Sequence, residues 1–409
     1  MKCKIFAVLV LVSFCFSNLF SQSLLWESPY IGSSKDVLYL PDANAVYWRY
    51  GWERMEGDVN GFVVKGQMPN ARYFSYNLYD DVTKSSLGSL TDFNIKFDNT
   101  NSYTLYIVPE GTKIDKENVL FFNKKLTKLS VVLRHYLPQG NIYGNVEMPK
   151  ISKYDSANGL LTLASESAKV PKFSKEDVEK YLIPMFNKFM ENPEENLNKL
   201  IHRTKDKPLN VEELICKQVV SGAFAFFNKD KVIYSFNLNS DGTYPNNDNH
   251  YLTMPVVRTN NDVLFIKFKA PIFPKNKDEF SSSDVRYFSI SQGDELTYNY
   301  KTIADYEFKI NSDGYIYLII GNESDELVEK AKQLNVNFMP WLVNEKMLLI
   351  YRNMLPNTNF KNGANAVVKF DKNKPVKDQL ASRFIGSFAP TGFLFKYDVF
   401  LKFDTIPNF

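Results

Sequence analysis

The amino-acid sequence predicts a mainly β protein: two tandem, related β-sandwich (jelly-roll-like) domains with a helical insert between them. Three observations predict it. Aromatic residues are abundant, with 33 Phe and 24 Tyr in 409 residues, and aromatic side chains favour strands. Short apolar runs alternate with turn signals at roughly eight- to twelve-residue intervals, as in sandwiches and jelly rolls. One motif also occurs twice. Ala71-Arg72-Tyr73-Phe74-Ser75 returns, altered, as Val285-Arg286-Tyr287-Phe288-Ser289.

The repeat extends beyond that motif. Leu90-Thr91-Asp92-Phe93 follows the first copy and Ile303-Ala304-Asp305-Tyr306 follows the second. Each is followed by an alternating apolar run, Tyr103 to Pro109 and Tyr315 to Gly321. Each copy then reaches Arg-x-x-Leu-Pro, at Arg134–Pro138 and Arg352–Pro356. The spacings from the first arginine to the second are 62 and 66 residues. Landmarks in one order at near-equal spacing define a duplicated unit.

Residues 1–21 read as a secretory signal peptide cut near Ser21: Lys2 and Lys4 precede an apolar run from Ile5 to Phe16 that is too short to span a bilayer. A lipoprotein signal ending at Cys15 is the competing reading, disfavoured by the bulky Phe14 before it. No later stretch is long and apolar enough for a transmembrane anchor, so a periplasmic or secreted location is expected. After cleavage, 47 Lys and Arg face 46 Asp and Glu, a net charge of +1. That balance argues against a nucleic-acid binder. Only Cys216 of the three cysteines survives, so the fold rests on its core rather than on intrachain disulfides.

In chain order, an opening strand is expected between Leu24 and Pro41, then a strand over Ala45–Tyr50 and a polar loop to Asn60. A strand follows over Gly61–Gly66, and Met68-Pro69-Asn70 is a turn. In the signature strand, period two puts Arg72, Phe74, Tyr76 and Leu78 on one face and Tyr73, Ser75, Asn77 and Tyr79 on the other. Further strands are expected over Phe93–Asp98, Tyr103–Pro109, Val119–Phe122 and Leu129–Leu137. The first domain is thus placed at 22–168.

Residues 169–221 form the helical insert. Ser174 and Asp177 open a helix, Val178, Tyr181, Leu182, Met185, Phe186 and Phe189 recur at helical spacing, and Pro184 interrupts it. Two shorter helices start at Asn192 and Asn210. The second domain is placed at 222–409. It opens with a hairpin over Ala223–Leu238 and a polar loop to Asn249. Strands follow over Leu252–Val257, Val263–Ala270, the second signature, Tyr315–Gly321 and Met347–Arg352. A helix runs from Ser324 to Gln333, and a final aromatic strand covers Phe393–Phe403.

An arginine on an apolar face needs a partner, since an unpaired buried charge costs several kcal/mol. Asp92 and Asp305 are the natural partners of Arg72 and Arg286, either as ion pairs pinning the sheet or as a clamp for an anionic ligand. Arg72, Tyr73, Ser75, Asp92, Arg134, Arg286, Asp305 and Arg352 are therefore the candidate binding residues. His135 is the candidate catalytic residue, read either as a general base or as a polar strand-end group. His202 ends a helix and His250 lies in the polar loop, where solvation is expected. Trp48, Tyr50 and Trp52 suggest either a sugar-stacking platform or core packing. Known nucleotide, zinc, calcium and serine-hydrolase motifs do not occur, so no cofactor and no metal are expected.

On the Arg-Tyr-x-Ser strand and the later Arg-x-x-Leu-Pro, the chain resembles uncharacterised bacterial exported proteins that carry duplicated β-sandwich domains of unknown function. The resemblance implies this fold and export, and it implies no activity. The leading functional expectation is a non-enzymatic ligand-binding or interaction module for a small molecule or carbohydrate, with its groove near the signature strand or between the domains. The alternative is an extracellular or periplasmic hydrolase acting on a polymer or ester, using His135 with Asp92 and Arg72 or Arg134. An oligomeric cell-surface scaffold is a third option. Oligomeric state is not specified by the sequence.

Overall fold

The structure is a computed structural model that describes residues 25–33, 40–168, 180, 184, 191–192, 236–237, 244–259, 261–294, 298–368 and 378–407. The expected signal peptide, nearly all of the expected helical insert, His202, Cys216 and the expected hairpin over Ala223–Leu238, except residues 236–237, lie outside these residues. Two compact units divide the chain. Unit 1 takes Met1–Tyr30 and Ala45–Lys172, and unit 2 takes Ile31–Asn44 and Phe173–Phe409.

Unit 1 is assembled from β1 (Tyr30–Ile31), β2 (Ala45–Glu53), β3 (Gly61–Gln67), β4 (Ala71–Asp80), β5 (Ser86–Thr91), β6 (Ser102–Pro109), β7 (Val119–Phe122), β8 (Lys128–Pro138), β9 (Lys150–Tyr154) and β10 (Leu161–Leu163). One sheet has the order β1-β2-β8-β4-β5 and the other β10-β9-β3-β6-β7. Alternation along the strands supplies one core from both sheets. Val46, Trp48, Tyr50 and Trp52 of β2, Phe74, Tyr76 and Leu78 of β4, and Phe62, Val64, Leu105 and Ile107 of the second sheet share it. Each such large side chain contributes about 1.5–3 kcal/mol by leaving water.

Unit 2 contains β11 (Phe236–Asn237), β12 (Asn249–Val257), β13 (Asp262–Lys269), β14 (Tyr287–Gly293), β15 (Asn299–Ala304), β16 (Tyr315–Gly321), α1 (Asp325–Gln333), β17 (Asn337–Pro340), β18 (Lys346–Met354), α2 (Ser382–Ile385), β19 (Thr391–Lys396) and α3 (Tyr397–Phe400). Its sheets run β11-β12-β18-β14-β15 and β17-β16-β13-β19. The first of these follows the same pattern of pairing as the first sheet of unit 1. In both units the second sheet holds one parallel pair, β6 with β7 and β16 with β17. A parallel pair needs a crossover connection. In unit 2 that crossover carries α1, whose N-cap Ser324 side chain accepts from the Leu327 amide at 3.2 Å.

The Arg-x-x-Leu-Pro landmarks end β8 and β18 in the same way. Leu137 and Leu355 both adopt left-handed backbone, at φ 49° and 45°. A bulky residue is rare in that conformation, so the shared geometry marks a turn that both units hold against local preference.

Three expectations change. Phe93–Asp98 is not a strand: the chain turns there, with the Ile95 amide on the Thr91 carbonyl at 2.9 Å and Phe93 exposed. The strand of that region is β5, Ser86–Thr91, whose Ser, Gly and Thr side chains have weak pattern and whose pairing with β4 decides its state. The final strand stops at Lys396, and Tyr397–Phe400 coils into α3, which buries Phe400 against Phe265. His250 is in β12 opposite Asn353 and is half-buried, not in a solvated loop.

Trp48, Tyr50 and Trp52 are 2 %, 1 % and 5 % exposed, so they form core and not a sugar platform. They point inward because β2 alternates, and their outward neighbours carry the polar work. Arg49 is buried between Glu27 and Asp81, with its Nη2 2.6 Å from Asp81 Oδ2. Lys84 Nζ lies 3.0 Å from the other Asp81 oxygen. Gly51 lies beside this network, and a Cβ there would meet the Arg49 guanidinium.

Candidate functional site

The signature strands lie beside the landmark arginines, and the register decides which arginine matters. In unit 1 Ser75 pairs with Arg134 and Phe74 with His135. In unit 2 Ser289 pairs with Arg352 and Phe288 with Asn353. The polar face of each signature strand therefore meets Arg134 or Arg352. The signature arginines sit elsewhere. Arg72 is half-buried, and the Arg286 guanidinium stacks 3.7 Å above the Phe280 ring. Asp305 is fully buried, and its carboxylate accepts the Tyr306 amide at 2.7 Å and the Phe288 amide at 3.3 Å. It closes the end of the β14–β15 pair. Asp92, at the corresponding corner of unit 1, donates its amide to the Phe74 carbonyl at 3.0 Å.

In unit 2 the face around Arg352 is closed by a carboxylate from far upstream. Asp42 Oδ1 accepts from the Tyr287 hydroxyl at 2.8 Å and Oδ2 from the Ser289 hydroxyl at 2.6 Å. The Arg352 Nη1 is 3.7 Å from Oδ2. The guanidinium also donates to the Ser291 hydroxyl and the Leu40 carbonyl. Asp42, Tyr287, Ser289 and Ser291 are 0 % exposed. Burial and the adjacent Asp42 charge push the Tyr287 phenol well above its ordinary pKa, so it stays a donor.

Asp42 carries no local sequence signal for this role, being separated from Tyr287 by 245 residues. What the sequence does hold is a turn written twice in unit 2. Leu40 and Tyr244 each precede a proline with left-handed backbone, at φ 46° and 54°. Two residues further on, Asp42 and Asn246 each accept the amide of residue i+2, Asn44 at 2.9 Å and Asp248 at 3.2 Å.

In unit 1 the same positions are built from a different set. The Arg134 guanidinium donates to Asn77 Oδ1, which also accepts from the Ser75 hydroxyl at 2.9 Å. It lies 5.6 Å from the Tyr79 ring and 5.8 Å from the Tyr47 ring. Tyr73, Ser75, Asn77 and Tyr79 are all 0 % exposed. Signature residues that alternation alone leaves on the non-core face are thus sealed as well.

His135 is buried in aromatic surroundings. Its ring is 4.9 Å from that of Trp48 and 6.2 Å from that of Phe74. Nδ1 lies 3.3 Å from the Ile142 carbonyl oxygen. Burial pulls its pKa down to about 4, leaving a neutral imidazole at physiological pH.

An open feature lies on the outward face of the second sheet of unit 1. A cleft of about 950 Å³ is lined there by Lys65 and Gln67 of β3, Thr104 and Tyr106 of β6, and Lys150 of β9. Flanking loops add Lys96, Asp98, Lys116, Glu117 and Asn118. Alternation explains the surface: Tyr103, Leu105 and Ile107 enter the core, so Thr104 and Tyr106 must face out. Tyr106 is held by an edge contact with Tyr154 at 5.6 Å. The Asn118 amide group donates to the carbonyls of Lys96 at 2.9 Å and Thr104 at 3.2 Å, fixing the loop to the sheet. None of the expected site residues lines this cleft. Among the described residues, no group of three His, Cys, Asp or Glu side chains is placed to hold a metal ion.

No family model and no curated protein matches the chain. Solved structures do. An uncharacterized protein from Burkholderia cenocepacia superposes with a TM-score of 0.56 at 9% identity, over 92% of this chain and 83% of its own. The VPA0106 protein of Vibrio parahaemolyticus matches at a TM-score of 0.44 and 13% identity, over 88% of this chain and 90% of its own. The chain is thus similar in fold to the uncharacterized Burkholderia cenocepacia protein. Among the described residues no helix is long and apolar enough to cross a membrane.

Proposed function

We propose that the protein is an exported, non-enzymatic binding module made of two β-sandwiches that arose by duplication, and that unit 1 binds a carbohydrate in its open cleft. The leader-like sequence at 1–21 supports export. The matching strand orders and the paired left-handed leucines support duplication. The cleft carries the binding reading. It is large enough for an extended ligand. It offers lysine and amide donors, carboxylate acceptors and one outward tyrosine ring, the combination that a hydroxylated, partly apolar sugar ring can satisfy. In this reading the binding surface lies away from the Arg-Tyr-x-Ser strand, whose Tyr73, Ser75 and Asn77 side chains are buried. His135, buried among aromatic rings and not lining the cleft, supports the non-enzymatic reading over a hydrolase.

The test is a glycan array followed by calorimetry on the strongest binder. Tyr106→Ala and Lys65→Ala are expected to weaken binding at least about tenfold each, the loss of about 1.4 kcal/mol. Glycan binding that survives both substitutions, or no binding to any glycan on the array, overturns the reading.

A further inference from the structure

We infer that unit 2 carries a built peptide site for a Leu-Pro-Asp turn, that residues 40–44 are its resident occupant, and that the site accepts the same turn from a separate peptide when the resident one is disabled. It rests on different residues from the carbohydrate cleft and stands or falls apart from it.

The receptor side comes from three neighbouring strands. β14 contributes Tyr287 and Ser289, β18 contributes Arg352, and β15 contributes Asn299 and Thr302. All five are between 0 % and 6 % exposed. Thr302 is held in place on two sides: the Ser291 and Thr302 hydroxyls are 2.7 Å apart, and Asn299 Nδ2 donates to Thr302 at 2.9 Å.

The occupant is read the way a bound peptide is read. Its one carboxylate, Asp42, takes two hydroxyl donors and faces the guanidinium. Its backbone is recognised at successive positions. Arg352 donates to the Leu40 carbonyl, Asn299 donates to the Pro41 carbonyl at 2.7 Å, and the Ala43 amide donates to the Thr302 hydroxyl at 3.4 Å. The Leu40 side chain packs onto Gly293, where a Cβ would collide with its methyl group. The Tyr306 hydroxyl donates to Asn44 Oδ1 at 3.0 Å. Pro41 fixes its own φ, which lowers the ordering cost of binding, while the left-handed Leu40 is held against local preference by these contacts.

These contacts come from side chains at least 245 residues away in sequence. The chain linking occupant to receptor contributes effective concentration, not contacts. A free peptide of the same sequence therefore meets the same donors once the tethered copy no longer competes.

The experiment uses the full chain carrying Asp42→Ala and a fluorescein-labelled peptide of residues 38–44, Leu-Tyr-Leu-Pro-Asp-Ala-Asn, read by anisotropy. The variant is expected to bind saturably and at least tenfold more tightly than the wild-type chain. A peptide with Ala in place of its Asp is expected to bind at least tenfold more weakly. If Asp42→Ala gives no folded protein, Asp42→Asn, which keeps the shape and one acceptor, takes its place with the same expectations. A folded variant that ignores the peptide, or that binds the Asp and Ala peptides alike, overturns the inference.

Discussion

Asp42 Oδ2 lies 3.7 Å from Arg352 Nη1, and the two side chains are 0 % and 3 % exposed. A carboxylate and a guanidinium taken together out of water are costly, and their geometry must repay that cost with hydrogen bonds. Here it does, because Tyr287 and Ser289 saturate the carboxylate and Ser291 and Leu40 take up guanidinium donors.

Removing one partner leaves the other charged and buried. Asp42→Ala is expected to destabilise the protein by about 3–5 kcal/mol in urea unfolding. Removing both charges in Asp42→Ala with Arg352→Met is expected to cost clearly less than the sum of the single changes. Additive costs would show that the two residues do not act as a pair.

Gly293 lies against both the Leu40 side chain and the Tyr298 carbonyl. A Cβ at that position would overlap the Leu40 methyl group and also approach the Tyr298 carbonyl at 2.7 Å. Gly293→Ala is expected to destabilise by about 1–3 kcal/mol, the range for overpacking. In a Leu40→Ala background the same change is expected to cost measurably less. An equal cost in both backgrounds would place the clash on the Tyr298 backbone instead.

The buried imidazole of His135 predicts a pH dependence with a definite sign. Its pKa in the folded protein is about 4, below the ordinary 6.5. Between those values the unfolded chain binds the extra proton and the folded one does not. Its contribution is therefore fully present above about pH 6.5, is lost as the pH falls, and levels off below about pH 4. The whole loss corresponds to about 3 kcal/mol. His135→Asn introduces the residue that unit 2 has at Asn353, and it is expected to flatten the stability curve across that window relative to wild type. Parallel curves would remove His135 as the cause.

Tyr106 and Trp48 separate binding from folding. Trp48, at 2 % exposure, packs on His135 and Tyr143, and Trp48→Ala is expected to cost about 3–5 kcal/mol. Tyr106 faces the cleft, so Tyr106→Ala is expected to change stability by less than about 1 kcal/mol while weakening glycan binding. A large loss of stability at Tyr106 would make it a structural residue and remove it as a binding probe.

Much of the β architecture was legible in the residues. Period-two alternation placed Phe74, Tyr76 and Leu78 in the core, and Ser324 marked the start of α1. Elements with weak local signal were not legible. Ser86–Thr91 has no apolar alternation, and only pairing with β4 makes it a strand. Trp48, Tyr50 and Trp52 were ambiguous, because an aromatic run reads the same whether it meets solvent or a second sheet.

The sequence by itself determined the mainly β class, the order of most strands and the two copies of the Arg-Tyr-x-Ser and Arg-x-x-Leu-Pro landmarks. Those features depend on neighbours within a few residues, through side-chain alternation and turn chemistry. Only the tertiary structure decided which carboxylate answers which arginine. Asp305 accepts the Tyr306 and Phe288 amides, and Asp42, 310 residues before Arg352 in the chain, meets the Arg352 guanidinium, because pairing at such distance is set by which strands become neighbours. The open cleft was likewise decided by the packed sheets: Lys65, Tyr106 and Lys150 share a surface only because β3, β6 and β9 lie side by side.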